Sequence, residues 1–311
     1  MELRGDELTK FILNRLYQSV FVIFGVITVV FIVMQFAGDP VQLYLPPSTP
    51  DDMIDEYREE MGLNDPVFKQ YIDFLSGVVK GDFGESMYYH ESAMGLVLER
   101  FPATLGLTIM AMAIALLIGV PAGIISAVNR NSKFDFLIRV LAFIGQCTPQ
   151  FWLGIVLILI FSVNLGLMPT SGSGSFAHIL LPSVSLGLFV AATITRLLRS
   201  GMIEVMHQEY ITVAKAKGLR RNALILRHAL KNAMSSVITI LGLQFAGLLG
   251  GSVIIETVFS WPGIGSLVID SIYNRDFAVV QAVVVLAAVT FVLINLIVDI
   301  LYSTINPRVK Y

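Results

Sequence analysis

The sequence predicts an all-α integral membrane protein with six transmembrane helices. Of its 311 residues, 55% are hydrophobic and only 14% are charged, and the mean hydropathy is +0.76. Soluble domains carry about 25% charged residues, so this chain has too few to cover a water-facing surface. The composition excludes an ordinary soluble enzyme. It also excludes a disordered chain, which requires low hydrophobicity and high net charge.

Six long stretches without Asp, Glu, Lys or Arg supply the six predicted helices. A bilayer core about 30 Å thick requires roughly 20 apolar residues in a helix. The third stretch contains Pro149, so we expect a kink or an interfacial turn before Phe151. In the fourth, Pro182 is expected in the first helical turn, where a missing N–H is tolerated. In chain order, the stretches are 19–37, 103–128, 140–168, 176–195, 232–255 and 277–298.

The first stretch could serve as a cleaved signal peptide, because basic residues precede it. Its apolar run of 19 residues is longer than a typical cleavable core, and Gly38-Asp39-Pro40 follows in place of a small-residue cleavage site. We therefore expect a retained membrane anchor in a first segment comprising residues 1–37.

The basic residues predict that both termini face the cytoplasm, because cytoplasmic loops of membrane proteins are enriched in Lys and Arg. With the N-terminus inside, the inside segments hold 16 Lys and Arg and the outside segments hold five. The short loops alone give the same orientation.

The segment 38–102 is the sizeable outside segment, with four basic and thirteen acidic residues. We expect a short helix at 53–61, capped by Asp51 or Asp52, and a second that carries Phe68, Tyr71, Ile72 and Leu75 along the membrane surface. A turn at 81–84 follows. The segment is either a solvated acidic cap or a docking or gating surface for an external partner.

The cytoplasmic loop 196–231 holds eight basic and two acidic residues. Its pattern predicts a helix, a break and a second helix, with Gly218 ending the first because glycine adopts left-handed C-cap geometry readily. Charge alone would fit a loop that binds anionic lipid headgroups. The remainder of the chain, 103–311, is expected to form a five-helix core that includes this loop.

The sequence contains no complete motif for catalysis or metal binding. His90-Glu91 begins a zinc pattern, but Met94 occupies the position of the second histidine. Cys147 is the single cysteine, which excludes an intramolecular disulfide and any CxxC motif. No GxxxxGK[ST] phosphate-binding loop occurs. We therefore expect no catalytic residue and no metal site.

The spacing within 196–231 resembles the cytoplasmic loop of ABC-importer permeases. Thr212-Val213-Ala214, three residues, Gly218, nine residues and His228-Ala229-Leu230 match a family pattern of Glu-Ala-Ala, x3, Gly, x9, Ile-x-Leu-Pro. The chain keeps the final alanine, the glycine and the leucine. Its departures, at Thr212, His228 and Lys231, are similar to the dipeptide, oligopeptide and nickel branch.

Further motifs extend this resemblance from about residue 10 to the C-terminus. They are Gly38-Asp39-Pro40, Met61-Gly62-Leu63 with Pro66, Gly81-Asp82-Phe83-Gly84-Glu85-Ser86, Arg100-Phe101-Pro102-Ala103-Thr104-Leu105, Pro149-Gln150-Phe151-Trp152, Leu181-Pro182-Ser183, Gly250-Gly251-Ser252 with Glu256, Phe259-Ser260-Trp261-Pro262-Gly263-Ile264-Gly265, Asn274-Arg275-Asp276 and Ile305-Asn306-Pro307.

The resemblance implies a type I ABC-importer permease fold in a bacterial or archaeal cytoplasmic membrane. It also implies a coupling helix near 205–221 that docks into a separate ATPase subunit. The expected partners are a second, similar permease, two ATPase subunits that bind the ATP and Mg, an external substrate-binding protein and membrane lipid, with no nucleic acid. The expected coupling residues are Glu209, Tyr210, Thr212, Val213, Ala214, Lys215, Lys217, Gly218 and Leu219.

Polar residues near or within the spans are candidates for lining a translocation path, since polar groups are costly in lipid. They could equally make hydrogen bonds between helices. The candidates are Gln146, Asn164, Gln244, Asn295 and Asp299. Trp261-Pro262-Gly263 forms either an outer turn or a gate. The pairs Gly119 with Gly123 and Gly247 with Gly251 are expected to be close-packing faces.

The resemblance favours import of dipeptides or short oligopeptides, with glutathione and nickel as alternatives. A cation path is disfavoured, because the spans offer no cluster of histidines or carboxylates. Two other classes of protein are possible. An ion-coupled secondary transporter favours charged residues inside the spans and inverted repeats, and an intramembrane enzyme requires paired catalytic groups there. Neither pattern is seen in the six stretches.

Overall fold

The computed structural model describes residues 2–36, 41, 49–60 and 62–305. The sequence motifs at Gly38-Asp39-Pro40, at Met61 and at Asn306-Pro307 lie outside them. The described residues are mainly helical and contain no strand, apart from one isolated bridge between Glu85 and Ser92.

The helices follow one another with short connections. They are α1 (Glu2–Phe36), α2 (Asp51–Glu60), α3 (Val67–Lys80), α4 (Ala93–Val128), α5 (Lys133–Cys147), α6 (Gln150–Leu157) with a π-helical extension (Ile158–Asn164), α7 (Phe176–Met206), α8 (Glu209–Ala216), a short run (Arg221–Ala223) with a π-helical turn (Leu224–Ala229) that leads into α9 (Leu230–Phe259), α10 (Ile264–Tyr273) and α11 (Phe277–Ile305).

Within the described residues, five helices are long and apolar enough to cross a membrane, at Ile12–Phe36, Ala93–Val128, Phe176–Met206, Ile240–Phe259 and Phe277–Ile300. A sixth span results if α5 and α6 with its π-helical extension are counted together. The protein is therefore a multi-pass, all-helical membrane protein.

The third predicted span is broken where proline predicted a kink. Pro149 precedes α6 and has no N–H to donate, and Thr148 before it is extended (φ −79°, ψ 123°), as steric conflict with the proline ring requires. The two halves differ in direction by 103°. The predicted boundaries were wrong, because helix begins at Lys133 and ends at Asn164 instead of covering 140–168.

Several helices extend beyond the uncharged stretches. α7 carries Arg196, Arg199 and Glu204, and α9 carries Glu256, whose side chain is fully buried. The prediction for Pro182 was also wrong, since it lies in the second turn of α7. Uncharged windows locate apolar cores of helices, whereas the helices themselves continue into polar surroundings.

The chain forms two compact units. Unit 1 consists mainly of Leu105–Trp261. In this unit α4 approaches α7 closely, since a Cβ added at Gly119 would lie 2.8 Å from the carbonyl oxygen of Ala191, and one at Gly123 would lie 3.0 Å from Leu198 Cβ. The expected close-packing role of this glycine pair is confirmed.

The second glycine pair behaves differently. A Cβ at Gly247 would meet no atom within 4 Å, and one at Gly251 would reach only Gln150 Oε1, at 3.6 Å. Within the described residues this pair is not close-packed, and the expected close-packing face at Gly247 and Gly251 stays a prediction.

We expect Gly119→Ala to lower the Tm of the purified chain and Gly247→Ala to leave it unchanged or raise it. Crowding a packed site costs about 1–3 kcal/mol, whereas alanine for glycine in an open helical position gains up to about 1 kcal/mol. Thermal unfolding in detergent measures both variants. Equal Tm values for the two would contradict the packing assigned to Gly119.

Unit 2 consists of Leu13–Thr104 and Pro262–Val292. The two predicted short helices are present as α2 and α3, and Gly81 ends α3 at φ +75°. The predicted start of α2 was wrong, because Asp51 and Asp52 lie in its first turn instead of capping a helix that begins at residue 53. α3 packs on α1 through Tyr71 and Phe74, whose rings lie 5.1 Å and 5.8 Å from the ring of Phe31. The other side of the predicted apolar face, with Phe68 and Ile72, is exposed, and its expected place on the membrane surface stays a prediction.

A buried contact within unit 2 ties the segment between α3 and α4 to the start of α11. Ser86 Oγ donates a hydrogen bond to the Asp276 carboxylate, and both residues are almost fully buried. Ser86 Oγ also accepts from the N–H of Tyr89 at 2.9 Å. α10 lies in the same unit, in the stretch 256–276 that the sequence predicted as a loop, and buries Ile264, Leu267 and Ser271.

Candidate functional site: the α8 segment and its support

α8 is a separate short helix that follows α7 after a two-residue break. The N–H of His207 bonds to the carbonyl of Glu204 at 3.1 Å, and Gln208 is extended (ψ 147°). Helix resumes at Glu209, and the N–H of Ile211 returns to the carbonyl of Gln208 at 3.1 Å. The predicted helix–break–helix pattern is present, with this additional break between α7 and α8.

The buried side chain of α8 is that of Ile211. Ile211 is 8% exposed, whereas Tyr210 is 44% and Val213 is 53% exposed. Ala214 is half-buried. The sequence singled out Tyr210 and Val213 but missed Ile211, although its spacing from Ala214, i to i+3, is the signal for an inward face.

Gly218 closes the segment in the predicted left-handed conformation, at φ +80°. Its N–H bonds to the carbonyl of Lys215 at 3.0 Å, and the N–H of Leu219 bonds to that of Ala214 at 3.3 Å. These bonds satisfy carbonyls at the helix end. The other predicted coupling residues, Glu209, Thr212, Lys215, Lys217 and Leu219, are exposed.

A buried ion pair fixes the end of α7 that leads into α8. Asp135, at the start of α5, is fully buried and accepts two hydrogen bonds from Arg199, from Nε at 2.7 Å and from Nη2 at 2.8 Å. Ser126 Oγ donates to the same carboxylate at 2.6 Å, and the N–H of Asn131 donates at 2.9 Å. This bidentate geometry joins α4, α5 and α7.

Sequence reasoning missed this cluster. Its two ends are separated by 64 residues, and from the sequence Asp135 is only the single acid of a basic loop. The available signal was that Asp135 is the one acidic residue in this basic loop, because a single carboxylate among several basic side chains is expected to form an ion pair. The cluster gives α8 a rigid base, since Leu198 and Met202 on α7 are also fully buried.

One path candidate lines a cavity. Gln146 lies with Cys147, Gln150 and Gly251 around about 290 Å³ of space at the break between α5 and α6. Cys147 is exposed there. Gln146 Oε1 also accepts a hydrogen bond from Arg196 on α7. Gln146 therefore both lines a cavity and makes a hydrogen bond between helices, which are the two roles considered for it.

The structure does not bring the other path candidates to that cavity. Asn164 is exposed at the far end of the π-helical extension, while Gln244, Asn295 and Asp299 are half-buried on α9 and α11. Asn295 and Asp299 each engage other groups. A shared path through these five side chains stays a prediction.

Trp261-Pro262-Gly263 occupies the predicted turn between α9 and α10. Ser260 is left-handed (φ +48°), and the N–H of Trp261 bonds to the carbonyl of Glu256 at 2.8 Å. Trp261 is 8% exposed. A gate role for this turn stays a prediction. Among the described residues, no group of three His, Cys, Asp or Glu side chains is arranged to hold a metal ion.

Comparison with known proteins identifies the family. The model described as "Binding-protein-dependent transport system inner membrane component" matches residues 119–311, and the corresponding N-terminal model matches residues 8–108. The glutathione transport system permease proteins GsiC of Escherichia coli strain K12 and of Escherichia coli O1:K1 / APEC are each 42% identical to this chain over 303 residues. Each alignment covers 97% of this chain and 99% of the relative.

Solved structures share the fold. A structure of the MetNI methionine ABC transporter in an inward-facing conformation aligns with a TM-score of 0.59 at 22% identity, over 68% of this chain and 97% of the other. An amino acid ABC transporter crystallised with histidines gives a TM-score of 0.52 at 16% identity, over 69% of this chain and 94% of the other.

Two observations decide the assignment. The family models together cover most of the chain, and the relatives align along nearly its whole length. Such proteins are membrane components of transporters rather than catalysts. The chain therefore belongs to the inner-membrane permease family of binding-protein-dependent ABC importers, in its peptide, oligopeptide and nickel branch.

Proposed function

We propose that this permease carries short peptides inward, in the size range from dipeptides to tripeptides. The relatives named for glutathione transport support this range, since glutathione is itself a tripeptide. Trp261-Pro262-Gly263 and the Ile305-Asn306-Pro307 motif also resemble dipeptide and glutathione members of the branch. Selectivity is shared with an external binding protein that delivers the substrate.

The observation that carries the coupling proposal is the exposed apolar face of α8. Tyr210 and Val213 face outward on a short helix that Ile211 anchors and Gly218 terminates. Exposed apolar side chains rimmed by Lys215 and Lys217 are typical of a protein–protein contact. We infer that α8 docks into an ATPase subunit, which binds ATP and Mg, and that a second permease completes the membrane pair.

The proposal includes a topology of six spans with both termini and α8 in the cytoplasm. The distribution of Lys and Arg supports this orientation. The acidic segment with α2 and α3 then faces the external binding protein. Movement of ATPase subunits would reach the helices through α8 as a rigid-body switch.

Reconstitution of the complex in liposomes tests the function. The chain is purified in mild detergent with its co-expressed permease, ATPase and binding-protein subunits, and uptake of labelled glutathione, a labelled dipeptide and Ni²⁺ is followed with and without ATP. We expect ATP-dependent uptake of a peptide and none of Ni²⁺. Uptake by this chain alone, driven by an ion gradient without ATP, would support the secondary-transporter alternative and contradict the proposal.

A further inference from the structure

We propose that unit 1 holds a binding site for the headgroup of an anionic phospholipid, in a cavity between α5 and α7. This cavity is partly open to its surroundings and has a volume of about 470 Å³, and three of its six lining residues are arginines. The lining residues are Arg139, Phe143, Arg196, Leu197, Arg199 and Ser200.

The cavity carries positive charge in excess of its neutralising groups. Arg199 is fully engaged by Asp135 in the bidentate pair. Arg139 Nε stands farther from the same carboxylate, at 3.6 Å, and its side chain is 49% exposed. Arg196 donates to the neutral amide oxygen of Gln146, and no ion pair of Arg196 occurs among the described residues. Two of the three guanidinium groups, those of Arg199 and Arg139, thus share the one carboxylate of Asp135, and a phosphate would balance the remaining positive charge.

The position of the arginines along α7 corresponds to the headgroup level of a bilayer. Residues 176–195 of this helix contain no charged side chain. Twenty helical residues extend about 30 Å, which is the thickness of the hydrocarbon core. Arg196 and Arg199 are therefore the first charges beyond that core, at the depth where lipid phosphates lie.

α5 supplies an apolar surface for the acyl chains of the same lipid. Its inner face packs on α7, where Gly145 lies against Ala192. Its outer face exposes Phe134, Leu137, Leu141 and Ile144, and Phe143 lines the cavity. Because α5 turns by 103° from α6, it runs across the direction of the α6 axis. An amphipathic helix of this kind, with basic residues beside an apolar face, suits a membrane interface.

The apolar face of α5 next to the basic cavity favours a lipid over a free phosphate as the ligand. Inorganic phosphate would use the guanidinium groups alone, whereas a phospholipid uses both surfaces. Basic pockets between helices at the cytoplasmic side commonly hold anionic lipid headgroups. The occupant that this geometry fits is accordingly an anionic phospholipid such as phosphatidylglycerol.

Native mass spectrometry of the full-length chain tests the site. The chain is titrated in detergent with phosphatidylglycerol and, separately, with phosphatidylcholine, which lacks net charge. We expect retention of phosphatidylglycerol in preference to phosphatidylcholine. In the double variant Arg139→Gln/Arg196→Gln, which leaves the Asp135–Arg199 pair intact, binding of phosphatidylglycerol should weaken about thirtyfold.

The control variant Arg220→Gln/Arg227→Gln removes the same charge from exposed positions that do not line the cavity, so its binding of phosphatidylglycerol should match that of the unmodified chain. Equal weakening in both double variants would overturn the site, since charge alone would then explain binding. No preference for phosphatidylglycerol in the unmodified chain would also overturn it, independently of whether any variant folds. Displacement of the lipid by millimolar inorganic phosphate would overturn the lipid as occupant.

Discussion

Replacing Gly218 with valine is expected to uncouple ATP hydrolysis from uptake while membrane insertion stays normal. Gly218 adopts φ +80°, a conformation that strains a β-branched residue by about 1–3 kcal/mol. A Cβ there would meet no atom within 4 Å, so the effect is conformational rather than steric. Relief of the strain shifts the turn that holds the end of α8, and with it the angle at which Tyr210 and Val213 are presented.

ATPase rate and substrate uptake, measured together in proteoliposomes, give the result. We expect ATP-dependent uptake to fall about tenfold or more, because strain of this size favours a displaced turn, while the complex still hydrolyses ATP. The matched control is Gly166→Val, since Gly166 has φ +63° and equally open surroundings but lies outside the α8 segment. Unchanged uptake in Gly218→Val, or an equal loss in the control, would contradict the coupling role of α8.

The substitution Asp135→Asn is expected to destabilise the protein by about 3–5 kcal/mol, the usual effect of removing one partner of a buried ion pair. The neutral amide would leave Arg199, whose side chain is 21% exposed, without its counter-charge. Thermal unfolding in detergent measures the change. The base of α8 loosens at the same time, so uptake should fall together with the Tm.

An exposed pair provides the comparison. Asp65 accepts a hydrogen bond from Lys69 Nζ at 2.8 Å, but both side chains are solvent-accessible. Asp65→Asn should therefore change the stability by about 0–1 kcal/mol. The double variant Asp135→Leu/Arg199→Met removes both charges and should recover much of the loss. A Tm for Asp135→Asn that matches the Tm of Asp65→Asn would rule out a structural role for the buried pair.

The sequence predicts most of the membrane helices of this fold but not their ends. Uncharged windows detect apolar cores, and Pro149 marks the break between α5 and α6 through its missing N–H. A search for uncharged windows does not detect α10, because such a search considers only the absence of charged residues. Its buried residues Ile264, Leu267 and Ser271 follow helical spacing, which a periodicity search of the loop would have detected.

The candidate site was also predictable from the sequence only in part. Gly218 was predictable because a local rule, the left-handed helix end, acts within a few residues of the chain. The contact of Asp135 with Arg199 was not, since it depends on how α5 crosses α7. Ile211 lies between these cases, because its spacing is local but its burial requires the neighbouring helices.

The position of the single cysteine has a practical consequence for spectroscopy. Cys147 is exposed at the last residue of α5, directly before the 103° bend. A thiol-reactive fluorophore would attach there without any engineered mutation and without a competing site in this chain. The single thiol thus lies at the bend between α5 and α6, and the emission of an attached fluorophore during turnover would register in real time whether the surroundings of this bend change.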